Sequence, residues 1–175
     1  TVSLALGARR RHAWLHQDWD TNFRDADPGN RCYPFVAPEH HRRIVVDLHP
    51  AGIHVSTHAI GARAVGWVVD TYDLALKQKP TRGLRHGIIH DNTPTDHAIE
   101  VTARLQQDYD AAYPESQSQF MWWIGDNYAG NLGPQRGLRL SPFQTYLRKG
   151  IKWAGGADDP VAPCPARSGP GSSVA

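Results

Sequence analysis

Residues 53–80 read IHVSTHAIGARAVGWVVDTYDLALKQKP, and a change of period inside this stretch decides the fold class. Ile53-His54-Val55-Ser56-Thr57 is a short run with β-branched residues, the composition of a strand. Beyond it, Ala64, Val65, Val68, Val69, Tyr72 and Leu76 recur at helical spacing, and Pro80 punctuates the end. A strand followed directly by an amphipathic helix is the first part of a βαβ unit.

The same rhythm continues outward. Leu84–Ile89, Phe120–Ile124 and Ile151–Ala154 also read as strands, and the four runs start at residues 53, 84, 120 and 151. That recurrence of about thirty residues is the length of one strand-plus-helix unit. Thr93-Pro94 or Thr95 offers a cap for a helix with Ala98, Val101 and Leu105 on its apolar face. Ser141-Pro142 starts another helix, which runs through Tyr146-Leu147 and stops at Gly150. A Pro38-led helix precedes the first strand and ends at Pro50-Ala51-Gly52. Alternating strands and helices predict an α/β fold with a parallel sheet and right-handed crossovers. An open doubly wound sheet and part of a (β/α)8 TIM barrel both satisfy this pattern. A complete barrel takes roughly 250 residues, so these strands supply about half of one.

The stretch Tyr113–Leu140 is rich in Gly, Pro, Asn and Gln around its strand. It reads as a long loop after Ile124 that would lie over a barrel mouth. Residues 162–175 hold mostly Pro, Gly, Ser and Ala, a flexible tail in this reading, which leaves 1–161 as the folded domain.

Composition narrows the function classes. Of 175 residues, 40% are hydrophobic and 21% charged, enough for a packed core. A net charge of +2 argues for neither nucleic acid nor an anionic membrane. Arg9-Arg10-Arg11 is followed by Asp18, Asp20 and Asp25 and reads as solvated surface. Cys32 and Cys164 form no disulfide framework, so a cytoplasmic setting is expected. No apolar run reaches the ~18 residues of a membrane span. Thr1–Leu6 is apolar but precedes Arg9, the reverse of a signal peptide. The chain has no initiator Met, so a processed product or a piece of something longer is expected.

Three polar residues mark the strand ends. His58, His90 and Asp158 sit just past three apolar runs. The C-terminal strand ends of a parallel fold share one rim, where chemistry occurs. Neutral imidazole and carboxylate are ligands for zinc and related metals, and a carboxylate there can also accept a proton. A single strand-end histidine is commonly structural; the repetition at equivalent positions is what points to a site. Other candidates have two readings each. His86 is a packed strand histidine or a substrate contact. Trp122 and Trp123 pack a core or line a pocket for an apolar acyl group. Asp126-Asn127-Tyr128 is a turn, or Asp126 meets substrate polar groups. His40-His41 reads as helix surface.

Local motifs add a family. Thr57-His58-Ala59-Ile60-Gly61, followed by Ala64, resembles the "HAIGD.A" signature of amidohydrolase family 3. Arg85-His86-Gly87-Ile88-Ile89-His90 is similar to that family's "RH.IEH" strand, and Gly155-Gly156-Ala157-Asp158-Asp159-Pro160-Val161 to its "GSD.PV" motif. The resemblance covers nearly all of residues 3–161. It implies about the last four βα units of a (β/α)8 barrel that hydrolyses amide-type, non-peptide C–N bonds with one or two divalent metals, usually zinc. It implies that His58 and His90 are metal ligands on the fifth and sixth barrel strands. By the same resemblance Asp158 contacts the metal and serves as general base, carrying a proton from the metal-activated water to the leaving nitrogen.

There are departures from the family pattern. Ala62 stands where the family has Asp, Ile89 where it often has Glu, and Ala157 where it has Ser. Loss of such supporting groups often costs ~10–100-fold in metal affinity or activity. No His-x-His occurs, and Leu6-Gly7-Ala8-Arg9 looks like the stretch just after the fourth strand. The expectation is a barrel incomplete at its N-terminus, inactive by itself and taking a small-molecule amide substrate as part of a longer enzyme. The competing expectation is an inactive fragment or a small-molecule-binding α/β module. Open edges near Ile53 and Ile151, or near Val2, and inward-facing Val55, Ile88, Met121 and Trp153 are expected to promote self-association.

Overall fold

The computed structural model describes residues 2–3, 13–19, 29–156 and 158, with backbone alone at 2, 3, 123 and 124. The expected tail 162–175, Leu6–Arg9 and Ala157 lie outside the described residues.

Five parallel strands form one sheet in the order in which they occur along the chain. They are β1 (Val2–Ser3), β2 (Ser56–Ala59), β3 (Gly87–His90), β4 (Tyr113–Ser116) and β5 (Ala154–Gly155). Helices α1 (Pro38–Leu48), α2 (Ala62–Gln78) and α3 (Asp96–Tyr109) alternate with them, and α1 packs on α2, and α2 on α3. A doubly wound sheet reverses its strand order at a switch point. This order never reverses, so the fold is an arc of a (β/α)8 barrel.

Sequence accounts for the helices. Pro38 occupies the first turn of α1, where its missing N–H costs no bond. Gly52, with φ 75°, turns the chain out of the short 3-10 segment His49–Ala51. The Thr95 hydroxyl accepts the Ala98 N–H at 3.1 Å and caps α3. Gly61 opens α2 with φ 102°, and a Cβ there would lie 2.4 Å from the Trp14 carbonyl oxygen. That carbonyl accepts the Arg63 and Ala64 N–H groups, so the backbone of Trp14 caps α2 in place of a side chain.

The two sheet faces have different roles. Thr57, Ala59 and Ile88 are buried against the helices together with Val65, Val68, Val69, Leu76 and Leu105. Each such aliphatic side chain stabilises the fold by roughly 1.5–3 kcal/mol. The other face carries Ser56, His58, Ile89 and Glu115, all half-buried. Val55 and Ile88, expected to face inward, are fully buried on the helix side. The inward face is therefore more polar than expected.

One strand differs from the expectation. Phe120–Ile124, expected as a strand, lies in helix α4 (Gln119–Gly137), and the expected long loop is that helix. The strand is Tyr113–Ser116, which pairs with β3 from Gly87↔Tyr113 to Ile89↔Glu115. Its Pro114 disguises it. Tyr113 N–H bonds toward β3 and the Ser116 carbonyl toward β5, so by alternation the N–H that Pro114 lacks would face β5. There the ladder pairs only Glu115 and Ser116, and no bond is lost. Helix α4 is kinked where Gly133, at φ 77°, precedes Pro134. The short helix α5 (Phe143–Lys149) ends at Gly150 in the left-handed conformation.

Candidate functional site

The C-terminal ends of β2 and β3 bring two histidines together. His58 pairs in register with Ile89, and Ala59 with His90. Partners in a parallel ladder point to the same face, so His58 and His90 would by pleat alone face opposite ways. His90 is the last residue of β3 and has φ 74°, and Asp91 follows at φ 49°. Leaving the strand conformation turns the His90 side chain toward His58. The His90 Nε2 then lies 3.1 Å from the His58 Nδ1, with the rings edge to face at 4.2 Å between centroids.

The surroundings keep His90 neutral. It is 2% exposed, and Phe120 from α4 stacks on it with ring centroids 6.0 Å apart. Burial pushes its pKa down to about 4, with the nearby Gln117 side chain opposing the shift. Neutral imidazole is the form that binds a metal. The Ser116 hydroxyl donates to the His90 carbonyl, which fixes the turn from β4. The Tyr146 hydroxyl of α5 donates to the buried Asp91 carboxylate. Burial pushes Asp91 up to about 7 against that hydrogen bond, and the neighbouring carboxyl adds to burial in raising Tyr146.

Asp158 follows β5, half-buried and with φ 56°. Its charge acts on the Tyr128 hydroxyl of α4, which burial raises to about 12 and the Asn92 side chain draws back down. The loop after His90, helix α4 and the segment after β5 thus share one polar neighbourhood. The structure joins His58 to His90 directly. Among the described residues, no group of three or more His, Cys, Asp or Glu side chains stands where it could hold one metal ion. The two histidines fit a metal as a pair of nitrogen ligands.

The remaining candidates lie elsewhere. His86 precedes β3 at the opposite end of the strand from His90, fully buried and hydrogen-bonded to His49 and Val55. Trp122, 84% exposed, and Asp126, also exposed, are on α4 rather than on a strand and its loop. Trp123 lies in α4 too, and its side chain is outside the described residues. His41, expected at the helix surface, is buried and bonds the Thr57 hydroxyl at 3.1 Å. A cavity of about 380 Å³ opens beside the rim, lined in part by Ala62, Thr93, Thr95, Leu132 and Arg136. The two histidines do not line it.

Sequence reasoning passes over Asp91, Asn92, Gln117, Phe120 and Tyr146. Asp91 and Asn92 directly follow the His90 motif, a signal present in the sequence. Phe120 and Gln117 are hidden by the strand expected at Phe120–Ile124.

The amidohydrolase family model matches residues 2–174. The chain is 30% identical over 121 residues to the putative amidohydrolase YtcJ of Bacillus subtilis, covering 69% of this chain and 21% of that protein. Two solved structures share the fold, both titled uncharacterized metal-dependent hydrolases. The one from Pyrococcus horikoshii has a TM-score of 0.70 and the one from Pyrococcus furiosus 0.71, each at 20% identity over 93% of this chain. The chain spans 30% and 31% of those structures, so it corresponds to a part of its relatives. No described helix is long and apolar enough to cross a membrane. With the family model matched along almost its whole length, the chain belongs to the amidohydrolase family.

Proposed function

We propose that this chain forms part of a metal-dependent hydrolase of amide-type, non-peptide C–N bonds. The observation that carries the reading is the approach of His58 Nδ1 and His90 Nε2 to 3.1 Å at the C-terminal end of a parallel sheet, in a chain of this family. His58 and His90 would hold one divalent cation, and imidazole ligation suits zinc. When bound, that ion supplies Lewis-acid polarisation of a carbonyl and a lowered pKa for water. Asp158 would take a proton from the attacking water and hand it to the leaving nitrogen. Exposed Trp122 and Asp126 on α4 are the substrate contacts in this reading, with Trp123 beside them in sequence; His86, buried at the opposite strand end, is better suited to positioning. The substrate is a small amide. A cytoplasmic setting agrees with Cys32, whose thiol is in no disulfide among the described residues.

A second reading is a binding module without turnover. It is favoured by the absence, among the described residues, of a third ligand beside the histidine pair. Zinc-supplemented turnover of a panel of N-acyl and N-formyl amides by the complete enzyme of which this chain is a part separates the two, because the chain by itself is expected to be inactive in either reading. The hydrolase reading expects turnover that falls at least ~10²-fold in Asp158→Asn, the usual range for an acid–base group. Amide binding with no turnover at any zinc concentration would favour the module. The sheet edges β1 and β5 and exposed Trp122 also support self-association, which sedimentation measures.

A further inference from the structure

At the start of β3 a side chain completes the sheet ladder. Ser56 pairs with Gly87, and the Gly87 N–H donates to the Val55 carbonyl at 2.9 Å. In a regular parallel ladder the Val55 N–H would donate to the Arg85 carbonyl. Arg85, however, has φ 51°, outside the strand conformation. The Val55 N–H donates instead to the His86 Nδ1 at 3.1 Å. An amide N–H only donates, so the His86 Nδ1 holds a lone pair and the ring proton sits on Nε2. That Nε2 lies 2.9 Å from the His49 Nδ1, which must then accept. The His49 proton is therefore on Nε2, which donates to the Lys79 carbonyl at 2.7 Å. One tautomer of each ring satisfies every partner. The chain of bonds ties β2, β3, the turn after α1 and the end of α2 into one unit, with both rings buried.

We propose that His49 and His86 form an acid-sensitive latch that fixes β3 against β2 and so positions His58 against His90 at the far end of the same two strands. The latch stands on its own geometry; its consequence for His58 and His90 rests on the function proposed above. A second proton on His86 would have to sit on Nδ1, facing the Val55 N–H. A second proton on His49 would sit on Nδ1, facing the His86 Nε2–H. Either places two donors head to head.

The groups around the pair do not favour a cation. The His54 ring is 6.3 Å from His86, with its Nδ1 against the Leu84 carbonyl. The Tyr72 ring is 5.1 Å away, and its hydroxyl is held among Val55, Thr57 and Gly87. The Lys79 ammonium turns out to the Pro50 carbonyl. The Glu115 carboxylate, whose charge reaches Tyr72, is bonded to Ser56 on the other sheet face. Burial, helped by His49 and His54, holds His86 down at about 4 against an ordinary 6.5. The latch is thus closed at neutral pH and is weakened as pH falls through that interval.

Long-range ¹H–¹⁵N NMR of the full chain at neutral pH tests the arrangement. Both His49 and His86 should be neutral and protonated on Nε2. A charged His86, or one protonated on Nδ1, would overturn the proposal. The switch is read by amide-exchange protection of Val55 and Gly87, which should fall by about tenfold per pH unit for one proton gained on opening. His86→Asn keeps an acceptor for Val55 but cannot be protonated, so its protection should fall less steeply with pH than that of the wild type, by one proton. The same pH dependence in His86→Asn would contradict the latch. If that variant does not fold, the wild-type tautomers and the wild-type protection profile decide the matter.

Discussion

His90 leaves the strand conformation at φ 74°, and by doing so brings its Nε2 within 3.1 Å of the His58 Nδ1 despite a one-residue register offset. The site depends on a backbone feature that neither histidine codes alone. Directly after His90 comes a buried carboxyl, Asp91, held by the Tyr146 hydroxyl. Tyr146→Phe should therefore destabilise the chain by roughly 1–3 kcal/mol, the cost of a buried polar group left unsatisfied. Urea unfolding measures it. An unchanged midpoint would show that Asp91 finds another partner.

The Gly61 turn allows a sharper test. Its φ of 102° and the Trp14 carbonyl oxygen, 2.4 Å from where a Cβ would stand, leave no place for a side chain. Gly61→Ala should cost more than the ~1–3 kcal/mol typical of backbone strain alone, because the cap on α2 must also move. A thermal melt equal to wild type would refute this account of the β2–α2 turn.

Acid should destabilise the metal-free chain. Burial lowers His41 and His86 to about 4 from 6.5. Their stabilisation is complete above pH 6.5, where they are neutral in both states, and is lost as pH falls toward 4, because the unfolded chain binds their protons first. His90, lowered in the same way, is opposed by Asp91, raised to about 7 and so protonated in the folded chain over the same interval. Those two neighbours cancel, leaving about two protons net. Each proton bound only by the unfolded chain costs ~1.4 kcal/mol per pH unit, so the loss is several kcal/mol, against a usual domain stability of ~5–15 kcal/mol. Urea midpoints measured from pH 7 to pH 4 should fall steadily; a flat profile would contradict the burial argument.

Exposed Trp122 on α4 should matter for association and little for folding. It is 84% exposed, so Trp122→Lys should change stability by no more than ~0.5 kcal/mol. Sedimentation should show less self-association than wild type. An unchanged association profile would place the contact elsewhere, at the sheet edges.

Much of this fold is legible in the sequence. The alternation of period across residues 53–80 foretells β2 and α2, and Pro38, Thr95 and Gly150 mark helix ends where the structure has them. The histidine pair is legible because each residue ends a short apolar run. The strand β4 is not, since Pro114 and the polar residues Glu115 and Ser116 resemble a turn, and the neighbouring Trp122-Trp123 run has a strand's composition. Face parity at Val55 and Ile88 is lost for a related reason: a period of two cannot be oriented without knowing where the helices pack. The tautomer chain through His49 and His86 is out of reach, because it joins residues that only the folded sheet brings together.

The most direct test of the central claim is calorimetric titration of the chain with zinc, beside the His58→Ala/His90→Ala double variant. The account predicts binding of one zinc per chain, weak because a catalytic zinc normally has three protein ligands, and loss of that binding in the double variant. Equal zinc affinity in the two proteins would contradict a metal site at His58 and His90.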